Sequence, residues 1–267
     1  LREPEGAAAL KAAVEAAVRE AGALARGTFQ TALKSWSKQG GSPVSEADIA
    51  VDNFLRERLM RLAPDCGWLS EETEDDRARM HAPRLWVVDP IDGTRAYLQG
   101  RPDWSISVAL VENGRPVIAA IFAPMPDALY AASAGTGTTL NGTAVAANPG
   151  AHFEGITAAG PKPMLEKLAK HAPGLVQEPK VFSLALRLAR VAAGTLDLAF
   201  ASANSHDWDL AAADLLVHQA GGALTTFEGQ NLVYNRADPL HGALVAAGHS
   251  RHEAFLTLVR SRALAFA

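Results

Sequence analysis

Trp86-Val87-Val88-Asp89-Pro90-Ile91-Asp92-Gly93-Thr94 is the stretch on which the reading turns: an apolar strand that runs into two aspartates, a proline, a glycine and a threonine. Carboxylates delivered at a strand end invite a metal ion. Asp89 and Asp92 stand three residues apart across Pro90, so both side chains and the Ile91 carbonyl can face one point, offering hard oxygen donors suited to Mg²⁺. Gly93 lets backbone approach a ligand closely. Thr94 opens a predicted short helix through Leu98, whose first N–H groups lack intrahelical partners and would seat a phosphate next to the metal. The same residues also fit a plain capped helix, with Asp92 or Thr94 as N-cap and Asp89 paired to a basic residue.

Working outward, Trp208-Asp209-Leu210-Ala211-Ala212-Ala213-Asp214 puts an aspartate at the start of a small-residue helix that continues to Gly221-Gly222. Asp209 is either an N-cap or a third metal carboxylate. On the other side, Trp68-Leu69-Ser70-Glu71-Glu72-Thr73 sets two glutamates after an apolar strand. Adjacent strand residues point to opposite faces, so only one of the two is expected to reach a metal. If Glu71, Asp89, Asp92 and Asp209 converge, their repulsion is tolerable only with cations bound or protons taken up. Convergence would itself predict metal dependence.

The flanking elements follow from periodicity. Residues 5 to 33 carry Leu10, Val14, Ala17, Ala21 and Leu24 at helical spacing. Gly40-Gly41-Ser42-Pro43 breaks that helix, and Ser45-Glu46-Ala47-Asp48 opens a second one through Val51, Phe54, Leu55 and Leu59, stopped at Pro64. From Leu85 the texture is β, over 85–88, 104–111, 117–122 and 129–132 with a turn at Asn113-Gly114, predicting an antiparallel meander behind the helices. Beyond the Asn141-Gly142 turn and the Asn148–Gly150 loop, strand-like and helix-like stretches alternate at 155–159, 163–171, 180–182, 183–193, 196–200, 207–220, 243–247 and 251–263. The expected organisation is an N-terminal α+β half, 1–147, and a C-terminal α/β half, 148–267.

Bulk properties narrow the function classes. The 267 residues are 48% hydrophobic and 20% charged, enough for a sizeable core. A net charge of -4 with scattered Lys and Arg argues against binding a nucleic-acid polymer. One cysteine, Cys66, cannot form an internal disulfide, which fits a cytoplasmic setting. No apolar run approaches the roughly 18 residues of a membrane span, and no signal-peptide pattern opens the chain. The acidic run Glu71 to Asp76 includes residues, Glu74 to Asp76, that need be no more than a solvated loop.

Taken together, Ser70-Glu71-Glu72-Thr73, Asp89-Pro90-Ile91-Asp92-Gly93-Thr94 and Trp208-Asp209 to Gly222 resemble, in this order and spacing, the inositol monophosphatase family. The resemblance covers nearly the whole chain and implies a layered α/β/α/β/α sandwich of the α+β class, the sugar phosphatase type. It implies a phosphatase acting on a small phosphorylated metabolite, with two or three Mg²⁺ ions, sensitivity to Li⁺ and a possible homodimer. Glu71, Asp89 and the Ile91 carbonyl would hold one Mg²⁺, and Asp89, Asp92 and Asp209 a second. Glu71 and a Thr94–Asp48 hydrogen-bonded pair would position the attacking water. Gly93 and Thr94 N–H groups would bind the phosphate, with in-line attack and no phosphoenzyme.

Substrate choice is less marked. Inositol-type members carry a Glu seven residues before the metal aspartate, and Ser202 stands there in this chain. Phe182-Ser183-Leu184-Ala185-Leu186-Arg187 departs from the Gly-rich inositol form and sets Arg187 near a Lys of bisphosphate nucleotidases. A second phosphate could pair with Arg187, although a surface Arg on the amphipathic helix of Leu184, Leu188 and Val191 is the ordinary expectation. His206, just before Trp208, could touch the leaving group or be a loop residue. The lean is therefore to a 3'(2'),5'-bisphosphate nucleotide, with inositol 1-phosphate and histidinol phosphate as alternatives. A non-catalytic regulator that binds a phosphate metabolite is the rival of another class. A haloacid dehalogenase-type phosphatase needs Asp-x-Asp-Gly-Thr, a spacing that Asp89 and Asp92 miss by one residue. Trp104, Phe122 and Met125 are candidates for an apolar dimer face.

Overall fold

The computed structural model describes residues 4–37, 43–75 and 77–261. Among these, the α-helices are α1 (Pro4–Thr28), α2 (Glu46–Leu62), α3 (Thr94–Leu98), α4 (Lys162–Ala169), α5 (Leu184–Ala192), α6 (Asp207–Gln219) and α7 (His249–Arg260).

The first helix stops earlier than its apolar composition predicts: it ends at Thr28, and Gln30 turns the chain with φ 60°. Its buried stripe is Val14, Ala17, Val18, Ala21 and Ala25, while Leu24 is 41% exposed. The 3.6-residue turn carries the stripe to position 25 rather than 24. Small residues allow a close approach; a Cβ added at Gly22 would lie 2.4 Å from the Phe122 ring. Helix α2 begins with a capping box: the Ser45 hydroxyl accepts the Ala47 N–H, and Asp48 accepts the Ser45 N–H at 2.9 Å.

The strand of the opening motif, Arg84–Asp92, lies in a seven-stranded sheet. Ser105–Glu112, Arg115–Ala123, Ala128–Ser133, Thr138–Leu140 and Thr143–Val145 extend it on one side as an antiparallel meander. On its other side Gly67–Ser70 pairs with it in parallel, an edge the meander reading did not include. A second sheet of five strands is mixed, in the order Val176–Gln177, Thr157–Ala159, Leu198–Ala201, Leu244–Gly248, Gly222–Thr226. Two sequence expectations change here. Residues 180–182 are not a strand, their place at the edge being taken by Val176–Gln177, and Gly222–Thr226 is a strand that the helix-like run before it concealed.

Period-2 alternation sorts the large sheet's side chains to two faces. Trp86, Val88, Ile106, Val108, Leu110 and Ile118 pack on α1 and α2. Leu85, Val87, Ala109, Ala119, Ile121 and Tyr130 pack on α5 and α6. The five-stranded sheet meets the opposite side of α5 and α6 through Ala199, Leu244 and Ala246, and covers its far face with α4 and α7 through Leu165, Leu168, Phe255 and Leu256. The result is the five-layer α/β/α/β/α sandwich.

Trp104 and Phe122 are buried in the core at 0% and 4% exposure, so of the candidate dimer-face residues only Met125 reaches solvent. Asp75 is not merely solvated, since it pairs with the buried Arg79 guanidinium at 2.7 Å; Asp76 lies outside the described residues. Cys66 is buried, and burial pushes its thiol up to about 11, leaving it unreactive near neutrality.

Candidate active site

The two aspartates of the opening motif do not meet across a turn, because Pro90 and Ile91 continue the strand. They meet because the strand is irregular. Asp89 pairs with Ser107 but Asp92 with Ser105, so two residues of one strand, Pro90 and Ile91, oppose a single residue of the other, Ile106. In a regular strand, residues three apart point to opposite faces; the bulge turns Asp92 back to the side of Asp89. Asp209, in the first turn of α6, completes the set, and one carboxylate oxygen from each of Asp89, Asp92 and Asp209 lies within 4.8 Å of the others. Glu71 is brought alongside by the parallel edge strand, where its N–H donates to the Val88 carbonyl at 3.3 Å. Glu71 lines the same pocket as the three aspartates, Gly93, Thr94 and Arg95, and Glu72 does not.

Asp89 and Asp92 are 1% and 6% exposed. Burial, and then the charges of Glu71, Asp92 and Asp209, push the Asp89 carboxyl well above the usual carboxylate range. Burial, followed by Asp209, pushes Asp92 up to about 7, against hydrogen bonds from Ser183 and the start of α5. The Asp89 Oδ1 atom is buried without a hydrogen-bond partner. Such an orphaned carboxylate oxygen, among carboxylates whose charges raise the pKa values of Asp89 and Asp92, fits a divalent cation with hard oxygen ligands.

Around this cluster, Thr94 Oγ1 donates to Asp48 Oδ1 at 2.9 Å and lies 3.0 Å from the Ile91 carbonyl. A hydroxyl has one proton, so the bond to Asp48 leaves the Ile91 carbonyl available to another partner. Burial raises the Asp48 pKa despite bonds from Ser45 and Thr94. Gly93, at φ 92°, precedes the single turn of α3 and is the N-cap that neither Asp92 nor Thr94 provides.

A profile of the inositol monophosphatase family matches residues 7–263. The chain belongs to the inositol monophosphatase family. It is 34% identical over 232 residues to an inositol-1-monophosphatase of Rhizobium meliloti (strain 1021), covering 83% of this chain and 86% of that one. A histidinol-phosphatase of Mycobacterium tuberculosis is 32% identical over 84% and 87% of the two chains. The 3'(2'),5'-bisphosphate nucleotidase CysQ of Escherichia coli (strain K12) is 36% identical, but over only 37% of this chain and 41% of its own. Among solved structures, the extragenic suppressor protein suhB from Bartonella henselae superposes with a TM-score of 0.82 at 26% identity, over 94% and 98% of the chains. The family and these relatives make the chain a phosphatase, a hydrolase of phosphate monoesters.

In this member of the family a cleft of about 530 Å³ adjoins the carboxylate pocket, and Phe182 lines both. Arg187, Ser202, Lys162 and Lys180 line the cleft. Arg187 is therefore not the surface residue of the ordinary expectation: it is half-buried, and its Nε is buried without a hydrogen-bond partner. Burial lowers its pKa, partly offset by the Asp92 charge. His206 lines neither the pocket nor the cleft. Its ring stacks on Trp208 at 4.3 Å and its backbone N–H donates to Asp209 Oδ2 at 2.6 Å. Ser183 is the residue that sequence reasoning missed. Its position before α5 reads as an N-cap signature, but nothing local indicates that its hydroxyl reaches Asp92 from 91 residues away.

Proposed function

We propose that this chain hydrolyses a small phosphate monoester with Mg²⁺ held by Glu71, Asp89, the Ile91 carbonyl, Asp92 and Asp209. The observation that carries the reading is the meeting of three carboxylates within 4.8 Å around an Asp89 oxygen that has no partner in the protein. Bound Mg²⁺ would supply charge neutralisation at the phosphate and acidification of the attacking water.

The chain's own residues orient that attack. Because the Thr94 hydroxyl gives its proton to Asp48, its lone pairs face the pocket and can accept from a water. Asp48, made more basic by burial, is the proton acceptor behind it, and Glu71 flanks the water on the strand side. The Gly93 and Thr94 N–H groups hold the phosphate oxygens; α3 is a single turn, so these donors rather than a helix dipole carry the binding.

For the rest of the substrate, the adjoining cleft supports an ester with a second anionic group, as in a 3'(2'),5'-bisphosphate nucleotide. Arg187, Lys162 and Lys180 supply positive charge there, and Ser202 is a weak clamp for polyol hydroxyls. A second reading, inositol 1-phosphate, is supported by resemblance to the Rhizobium inositol-1-monophosphatase over most of both chains, against little more than a third for the nucleotidase. Histidinol phosphate has the same length of resemblance behind it.

The test is phosphate release with Mg²⁺ and after chelation, with the three esters side by side. Preference for the bisphosphate, lost in Arg187→Ala, is the expected result. Preference for inositol phosphate would reject the cleft as the seat of a second anionic group, and no turnover of any ester with Mg²⁺ would reject catalysis in favour of a phosphate-binding regulator.

A further inference from the structure

Asp92, which lies on the seven-stranded sheet, is reached by side-chain and backbone donors from the second half of the chain. Its Oδ2 accepts the Ser183 hydroxyl at 2.6 Å and the Ala185 N–H at 2.6 Å. Two short bonds to a charged acceptor are strong and directional, and they saturate that oxygen. Oδ1 is left as the atom that can face the cluster.

The protons of the network have one consistent arrangement when Asp92 is ionised. Ser183 has a single hydroxyl proton, which Asp92 takes. The Ser183 oxygen then accepts from the Leu186 N–H at 2.9 Å, and the Ser105 hydroxyl, also 2.9 Å away, must donate to it. Ser105 is the residue opposite Asp92 across the bulge. Backbone fixes the serine in turn: Asp103 accepts the Phe182 N–H on its carboxylate at 2.9 Å and the Ser183 N–H on its carbonyl at 3.2 Å. Ser183 is 0% exposed, so no solvent competes for its hydroxyl.

We infer that Ser183 is a positioning residue for the metal site: with the Ala185 N–H it occupies one oxygen of Asp92 and so fixes Asp92 as a one-oxygen ligand. The inference rests on the metal assignment made above. Outer partners that orient ligating carboxylates typically alter metal affinity by 10–100-fold when removed.

The experiment is calorimetric titration of Mn²⁺ and Mg²⁺ into the full chain, wild type against Ser183→Ala, Ser183→Gly and Ser183→Thr, with melting of each protein in chelator. Ser183 also caps α5, and glycine preserves most of a cap's stability, so Ser183→Gly separates ion affinity from folding. The expected result is ion binding weakened by about tenfold or more in the Ala and Gly variants and retained in Thr. The Mg²⁺ concentration for half-maximal phosphate release should rise in parallel, with KM for the ester at saturating Mg²⁺ unchanged. Wild-type ion affinity in Ser183→Gly would overturn the role of Ser183 alone. Absence of ion binding in the wild type would overturn the metal assignment itself.

Discussion

Asp92 gathers most of what the single-residue chemistry of this protein depends on. It is buried, it faces Asp209, and its other oxygen is engaged by Ser183 and Ala185. Replacing it by asparagine keeps size and one acceptor but removes the charge that a cation needs. Asp92→Asn should reduce Mg²⁺-dependent turnover to background while the melting temperature in chelator stays at or above that of the wild type. Near-normal phosphate release would remove Asp92 from the metal set.

The same residue sets a pH dependence. A carboxyl at about 7 in the folded protein and about 4 in the unfolded chain means that the folded state binds more protons between those values. Stability of the metal-free protein should therefore be full below about pH 4 on this account and decline as pH rises towards 7. The Asp89 carboxyl, raised by burial and by Glu71, Asp92 and Asp209, acts in the same direction. Urea unfolding in chelator across that range measures it, and saturating Mg²⁺ should flatten the decline by taking the place of the protons. A metal-free stability that rises from pH 4 to 7 would contradict the buried carboxylate cluster.

At the scale of elements, the site depends on irregularities placed in regular structure. The bulge at Asp89–Asp92 turns a strand into a chelating edge, and Gly93 turns its end into α3. Gly93 needs its missing side chain twice over: φ is 92°, and a Cβ would stand 3.1 Å from the Ser183 nitrogen and 3.2 Å from the Asp103 carbonyl. Gly93→Ala should cost more than about 1 kcal/mol of stability and depress turnover, since the displaced neighbours hold Asp92. Equilibrium unfolding and phosphate release on one preparation would check both, and an unperturbed Gly93→Ala would mean that the segment is looser than its contacts. The capping box of α2 is a second such device, because one carboxylate, Asp48, both closes the helix start and receives the Thr94 hydroxyl.

Across the whole molecule, the halves on either side of residue 147 share one core. The inner face of the seven-stranded sheet, with Leu85, Val87, Ile121 and Tyr130, is covered by α5 and α6 from the second half. Residues 1–147 expressed alone would expose that face, and should show no cooperative melting by near-UV circular dichroism. A cooperative transition would establish that half as an independent folding unit. The site lies on the same seam, with Asp89 and Asp92 from the sheet, Asp209 from α6 and Ser183 from the start of α5.

Much of this was legible in the residues themselves. The helix and strand periods mark most of the elements, the Asp89–Thr94 and Trp208–Asp209 motifs single out the three aspartates, and the family resemblance that those motifs carry implies the fold class and the phosphatase chemistry, because period and motif are local properties of a chain. Even Asp48 and Thr94 follow from their neighbours and the resemblance. What the sequence left open depends on which side chains meet across the sandwich. Arg187 reads as a surface residue from its helix and is drawn into a cleft only because α5 packs beside that cleft. Trp104 and Phe122 read as a possible interface, but both are buried in the core cluster that α1 closes. Whether Asp89 and Asp92 share a face turned on a single shifted pairing, which strand alternation alone would have decided the other way. Ser183 touches Asp92 only through tertiary structure, since hydrogen bonding between residues 91 positions apart is fixed by packing and not by any local propensity.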